Sequence, residues 1–338
     1  MSKPPVSQLS ISLIVPVFNR PAEVEELLQS LTTQTNSRFE VVLVEDGSQV
    51  PCLPVVEKYQ QQLQIQYHTK PNSGPGLTRN MGATQAKGNY FVFLDSDCVL
   101  PPHYIQTVYT CLQRQYVDAF GGPDKAHEQF TPIQKAINYG MTSFLTTGGI
   151  RGGGEKLDKF HPRSFNMGYS RQVFNATGGF AAIRFGEDID MSIRILKAGF
   201  STALIKDAYV YHKRRSTFRQ FFKQVFNSGI ARINLNKRHP GTLKLVHTFP
   251  SLFVLGMLSM LILGISLSPW FLLPMGIFAL LVLADSTLKN KSLQVGLLSV
   301  VASFIQLTGY GLGFLLAVWR RLVLGKTEFA AFERNFYK

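Results

Sequence analysis

The sequence predicts an α/β fold with a doubly wound, mostly parallel sheet, followed by α-helical membrane segments. Three observations predict it. Apolar runs of strand length alternate with helical segments through the N-terminal part of the chain. Two of those runs lead straight into carboxylates, "FEVVLVEDGS" and "YFVFLDSD". The last third holds long stretches almost without charge.

In chain order, "ISLIVPVF" reads as a first buried strand. "PAEVEELLQSLTTQT" is a helix with Pro21 near its start and Glu23, Glu25 and Glu26 in its first turn. "FEVVLVEDGS" is a second buried strand, residues 54–64 are helical, and "IQYHTK" is a third strand. "SGPGLTRNMGATQAKG" opens on a Gly/Pro turn and closes at Gly88 as a helix does. "NYFVFLDSDCVLPP" is then a strand running into Asp95 and Asp97. Unpaired charge is costly to bury, so these acids must reach water or hold something positive. In a doubly wound sheet the carboxyl ends of the strands open onto the ligand crevice, which is where Asp46 and Asp95 fall.

Regularity weakens from Asp124 to Lys159, where "TTGGIRGGGEK" reads as a loop, and Gly152 would sit in a lid. It returns in "SFNMGYSRQVFNATGGF" and in "RFGEDIDMSIRILKAGF", where Ile189, Ile193, Leu196 and Phe200 recur at helical spacing before Gly199 ends the helix.

The chain has 338 residues, a formal net charge of +14, 45% hydrophobic residues and only 17% charged ones. So little total charge argues against a nucleic-acid binder, and the basic excess proves to be local. Lys213, Arg214, Arg215, Arg219, Lys223, Arg232, Lys237, Arg238 and Lys244 precede three apolar segments at about 249–268, 270–284 and 293–319. Arg320, Arg321 and Lys326 follow them. Flanking charge of this kind marks membrane segments facing anionic lipid. Three full crossings would put the two basic clusters on opposite sides, so an even number is favoured. The middle segment is short and contains Pro274. Cys52, Cys98 and Cys111 form no CxxC pair, which fits a reducing compartment.

"VPVFNRP", "VEDGS", "SGPGLTRNMGATQAKG", "FLDSD" and "FGEDIDMSIRILKAGF", in this order, resemble a family 2 glycosyltransferase of the GT-A fold. The resemblance covers roughly residues 9–235 and implies a catalytic domain over 1–235 and a membrane-associated region over 236–338. It implies a nucleotide-sugar donor, with Pro16, Phe18, Arg20, Asp46 and Arg79 around the nucleotide. Asp46 would face the base, and a ring N–H to a carboxylate favours uridine. Asp95-Ser96-Asp97 matches the DxD motif, with Asp97 on the metal and Asp95 nearer the sugar or ribose. Hard oxygen ligands suit Mg²⁺ or Mn²⁺, whose charge offsets that of the departing diphosphate.

Glu187-Asp188 matches the acidic pair whose Asp is the base of inverting transfer, with Asp190 competing as a structural cap. His212 is a candidate metal ligand or a plain strand-end histidine. Asn166, Met167 and Gly168 would shape the acceptor side from a loop. The first turn lacks GxGxxG, against a dinucleotide dehydrogenase. "FRQFFKQVFNSG" lacks the QxxRW of processive members, which implies single additions.

The activity implied is inverting, metal-dependent transfer from a UDP-linked sugar to a hydroxyl of a lipid-linked or growing glycan. The expected place is the cytoplasmic face of the cell inner (plasma) membrane, with membrane lipids as partners and no nucleic acid. Transfer to polyprenyl phosphate and a non-catalytic membrane scaffold are the alternatives.

Overall fold

The structure, a computed structural model, describes residues 9–125, 130–147, 161–183 and 185–327. The Gly-rich segment 148–154, expected to form a lid, lies outside them. The described residues form two compact units, 9–125 with 161–212, and 130–147 with 213–327.

In the first unit, β1 (Ile11–Val17), α1 (Pro21–Thr32), β2 (Phe39–Asp46), α2 (Leu53–Tyr59), β3 (Ile65–Lys70), α3 (Pro75–Gln85) and β4 (Tyr90–Leu94) alternate as expected. Next come β5 (Cys98–Val99), α4 (Tyr104–Arg114), β6 (Ala119–Gly121) and β7 (Asp124–Lys125). Helices α5 (Pro132–Thr142) and α6 (Phe144–Thr147) belong to the second unit. The first unit resumes with β8 (Asn166–Ser170), α7 (Arg171–Thr177), α8 (Glu187–Lys197), β9 (Thr202–Leu204) and β10 (Val210–His212).

Seven strands form one sheet in the order β3-β2-β1-β4-β8-β6-β9. Only β8 runs antiparallel to its neighbours. Successive residues of a strand point to opposite faces, so each strand feeds two cores. Leu13, Val15, Val41, Leu43 and Val92 pack under α1, α2 and α4. Ile14, Val42, Val44, Phe91 and Phe93 pack against α3, α7 and α8. Gly82 lets α3 lie close on the sheet, since a Cβ there would stand 2.5 Å from Ile14 Cγ2. Pro16 sits inside β1 without a ladder donor. It is tolerated because β1 pairs with β4 only through Ile14, leaving that side of Pro16 outside the ladder.

The second unit continues with α9 (Phe218–Arg238), α10 (Phe249–Ser266), α11 (Leu273–Asn290) and α12 (Leu293–Val318). The expected domain boundary near residue 235 therefore falls inside the helical unit, because α9 packs lengthwise on α12. The pairing advances in step along both helices: Val225 and Phe222 meet Gly309, Phe226 meets Gly313, and Lys237 Nζ donates to Arg321 O at 2.8 Å. The two helices are thus parallel. Among the described residues, three segments are long and apolar enough to cross a membrane: Phe249–Ser266, Pro269–Asn290 and Leu293–Val323. The middle one is longer than its sequence implied. Pro274 occupies the first turn of α11, where it fits without breaking the helix.

Candidate active site

The sheet order makes β1 and β4 neighbours whose connections leave in opposite directions, and the crevice at their carboxyl ends is the ligand position in such sheets. Beyond β1 the chain turns through Asn19, whose φ is +53°. Asn19 Oδ1 accepts from Gln49 N at 2.7 Å and Val50 N at 3.0 Å, which ties the loops after β1 and β2 together. Phe18 is half-buried in that turn. Arg20 follows, and its Nη1 donates to Asp97 Oδ2 at 2.7 Å.

Beyond β4 a turn closes with Cys98 N donating to Asp95 O at 3.1 Å, bringing Asp95 and Asp97 out of the sheet. Strand β10 pairs antiparallel with β5, setting His212 opposite Cys98. His212 Nε2 thereby comes within 3.1 Å of Asp97 Oδ1 and 3.7 Å of Asp95 Oδ2. Phe165 stacks on its ring at 5.1 Å. A ligand atom from each of Asp97, Cys98 and His212 lies within 4.8 Å of the others.

The two acidic motifs meet through one cation. Arg79, only 3% exposed, donates from Nη2 to Asp95 Oδ1 at 2.6 Å and from Nη1 to Glu187 Oε1 at 3.1 Å. Burial and the adjacent Asp188 charge push the Glu187 carboxyl up to about 7, against the pull of Arg79. For Asp188 burial acts upward, but the Arg163 charge and the Ile189 N–H outweigh it and hold the carboxyl below its ordinary value. Gly186, at φ +82°, takes the N-cap of α8, so neither Asp caps the helix. Asp190 is structural in another way: it is buried and accepts from Arg194 Nε at 2.8 Å.

Two expectations change. Asp46 does not open onto the crevice. It is fully buried and accepts from Lys70 Nζ at 2.6 Å and from Ser73 N and Gly74 N at 2.8 Å each. It shapes the 72–74 turn from behind. Asn166, Met167 and Gly168 form the buried strand β8 rather than a loop. Asn166 links Tyr104 Oη at 2.6 Å to Ala208 O at 2.8 Å, Met167 is core, and a Cβ on Gly168 would strike the Phe120 ring at 2.2 Å. Alternation on a fully buried strand carries no sign of which residues face a ligand. Lys70 and Arg163 were not singled out from the sequence. Lys70 is the last residue of β3, a position that could have flagged it, whereas Arg163 had no signal.

A mostly parallel sheet with carboxylates, an imidazole and arginines gathered at its switch point defines a GT-A-type catalytic domain. The chain belongs to glycosyltransferase family 2: the Glycosyl transferase family 2 model matches residues 12–186, and that of Glycosyl transferase family group 2 matches 165–283. It is an enzyme. An uncharacterized glycosyltransferase of Haemophilus influenzae is 30% identical over 219 residues, 61% of this chain and 70% of that protein. One of Rickettsia bellii is 35% identical over 97 residues, 29% of this chain and only 14% of that protein. The fold resembles the mannosyltransferase PcManGT of Pyrobaculum calidifontis, solved with GDP-Man and Mn²⁺ (TM-score 0.63, 15% identity, 88% of this chain and 87% of that one). It also resembles TarS 1–349 of Staphylococcus aureus, solved with UDP-GlcNAc (TM-score 0.50, 18% identity, 95% and 93%).

Proposed function

We propose that the chain transfers a sugar, with inversion, from a nucleotide-sugar to a hydroxyl of a lipid-linked or growing glycan. The observation that carries this reading is the bridge from Asp95 through Arg79 to Glu187, beside Asp188, at the switch point of the sheet. It joins a diphosphate-side cluster to a base in one crevice.

Asp97, Asp95 and His212 would hold a divalent cation, Mg²⁺ or Mn²⁺; carboxylate oxygens and one imidazole nitrogen this close together suit such an ion. When bound, it supplies positive charge that offsets the charge growing on the leaving diphosphate. Arg20 adds a cation on the same side. Asp188, held ionised, takes the proton of the acceptor hydroxyl as that oxygen attacks the anomeric carbon and the bond to the diphosphate breaks. One displacement gives inversion. Glu187, protonated below about 7, leaves Asp188 as the charged member of the pair.

We read the donor as uridine-linked, with the base against the 72–74 turn that Asp46 organises. The nucleotides named for the two solved relatives support a nucleotide-sugar, one of each base.

In the membrane we propose that α10 and α11 cross as a pair. The apolar window of α12 is 44% buried within the protein, against 11% for each of the other two segments. Its C-terminal half lies along α9, and Lys223 and Arg232 on α9 do not belong in hydrocarbon. The basic ends of α9 and α12 meet at Lys237 and Arg321, so two crossings keep that charge together on the cytoplasmic face.

The test is a donor screen with purified protein, reading nucleoside diphosphate release from UDP- and GDP-sugars with and without Mn²⁺. Metal-dependent release that Asp97→Ala abolishes is expected. Transfer that survives Asp188→Asn would instead favour a phosphate acceptor, which is already ionised and needs no base.

A further inference from the structure

Arg163 stands against the acid proposed as base. Its Nε donates to Asp188 Oδ2 at 2.7 Å. Its backbone is fixed on both sides, by Asn166 N donating to Arg163 O at 3.0 Å and by Ser192 Oγ of α8 donating to Pro162 O at 2.7 Å. The two arginines flanking the acidic pair differ in what they leave over. Arg79 is buried and gives both terminal nitrogens to Asp95 and Glu187. The Arg163 side chain is 39% exposed, and among the described residues its only hydrogen bond is the one from Nε.

A guanidinium this close stabilises the ionised carboxylate and so weakens it as a base. The planar fork of N–H groups left on Arg163 matches a phosphate or carboxylate in a bidentate way. An approaching hydroxyl must come to Asp188, and whatever the acceptor carries beside that hydroxyl then faces this fork.

We propose that Arg163 recognises an anionic group, a phosphodiester or a uronate carboxylate, carried by the acceptor glycan beside the hydroxyl that is glycosylated. This deepens the proposed function and rests on Asp188 being the base. Neutral glycans are then poor acceptors, and the preference resides in acceptor affinity.

The experiment uses the full chain in detergent with UDP present, on an array displaying phosphodiester-bearing, uronate-bearing and neutral glycans. Wild type is expected to prefer an anionic class by about tenfold or more, the scale of a charge-assisted pair. Arg163→Gln loses that preference, while Arg163→Lys, which keeps the charge without the fork, retains part of it. Which class gives the signal separates phosphate from carboxylate. With the glycan so identified, KM rises in Arg163→Gln more than kcat falls, whereas a merely positioning role would lower kcat for every acceptor alike. Equal binding of neutral glycans, no binding to either anionic class, or an unchanged preference in Arg163→Gln overturns the proposal. Failure of the base assignment reads differently: Asp188→Asn would then keep both the preference and full transfer.

Discussion

Arg79 and Asp95 form a 2.6 Å ion pair that fastens helix α3 to the acid at the end of β4. The same guanidinium reaches Glu187 on α8, so one buried cation holds three elements in register. Removing it leaves the Asp95 carboxylate and the buried Glu187 carboxyl without the cation that joins them. Arg79→Ala is expected to cost about 3–5 kcal/mol of folding stability, the scale for breaking a buried pair. Arg79→Lys keeps the charge but cannot serve both acids with a planar fork, and should lose turnover with a smaller drop in stability. Thermal unfolding alongside diphosphate release checks both.

Asp46 offers a sharper separation of structural and binding roles. Its oxygens already accept from Lys70, Ser73 and Gly74. Asp46→Asn turns an acceptor into a donor against those N–H groups, with an expected cost of about 3 kcal/mol. A loss of nucleotide affinity with unchanged unfolding would instead mean that the carboxylate meets the base directly.

Glu187 makes stability depend on pH near neutrality. Its folded pKa is raised from 4.5 to about 7, so the protonated form is the one folding favours. The stability tied to that proton is complete below 4.5 and is lost as pH rises through about 7. The shift corresponds to about 3 kcal/mol. Glu187→Gln cannot ionise, so its melting temperature should gain on wild type between pH 5 and pH 8, roughly the window set by that shift. Scanning fluorimetry at the two values reads the sign directly.

Arg20 lies on Asp97 at 2.7 Å, where it supplies the charge that a bound cation would otherwise provide. Arg20→Gln is therefore expected to bind Mn²⁺ more tightly without nucleotide, by on the order of fivefold, or about 1 kcal/mol. Titration calorimetry measures this without any turnover. Weaker Mn²⁺ binding in the variant would show that Arg20 supports the ion rather than replacing it.

How much of this was legible follows from what a linear pattern encodes. The strand-helix alternation through Leu94 and the acids at strand ends depend on local periodicity, and both appear as expected. The approach of His212 to Asp97 depends on β10 pairing with β5, more than a hundred residues apart, and only the family resemblance pointed there. Asn166 to Gly168 misled because a strand buried on both faces gives no hint of direction. Asp46 misled because its position at a strand end was right but its partners, Lys70 and the 73–74 amides, come from another strand end. Asp285 hid the true length of α11, since a charge that ends an apolar run need not end the helix, which continues to Asn290 with Asp285 accepting from Lys289 Nζ at 2.8 Å.

The α9–α12 seam supplies the last prediction, because two of its glycines face backbone and one faces a side chain. A Cβ at Gly229 would stand 2.2 Å from Tyr310 O, and one at Gly313 2.0 Å from Phe226 O. A Cβ at Gly309 would meet Val225 Cγ2 at 2.5 Å, a contact that a rotamer change can relieve. Gly313→Ala and Gly229→Ala should therefore force the helices apart, each costing about 3 kcal/mol, whereas Gly309→Ala should cost about 1 kcal/mol. Limited proteolysis of the detergent-solubilised protein reads the difference as faster cleavage within α9. If all three variants resist cleavage equally, α9 does not lie on α12, and the case for only two crossings goes with it.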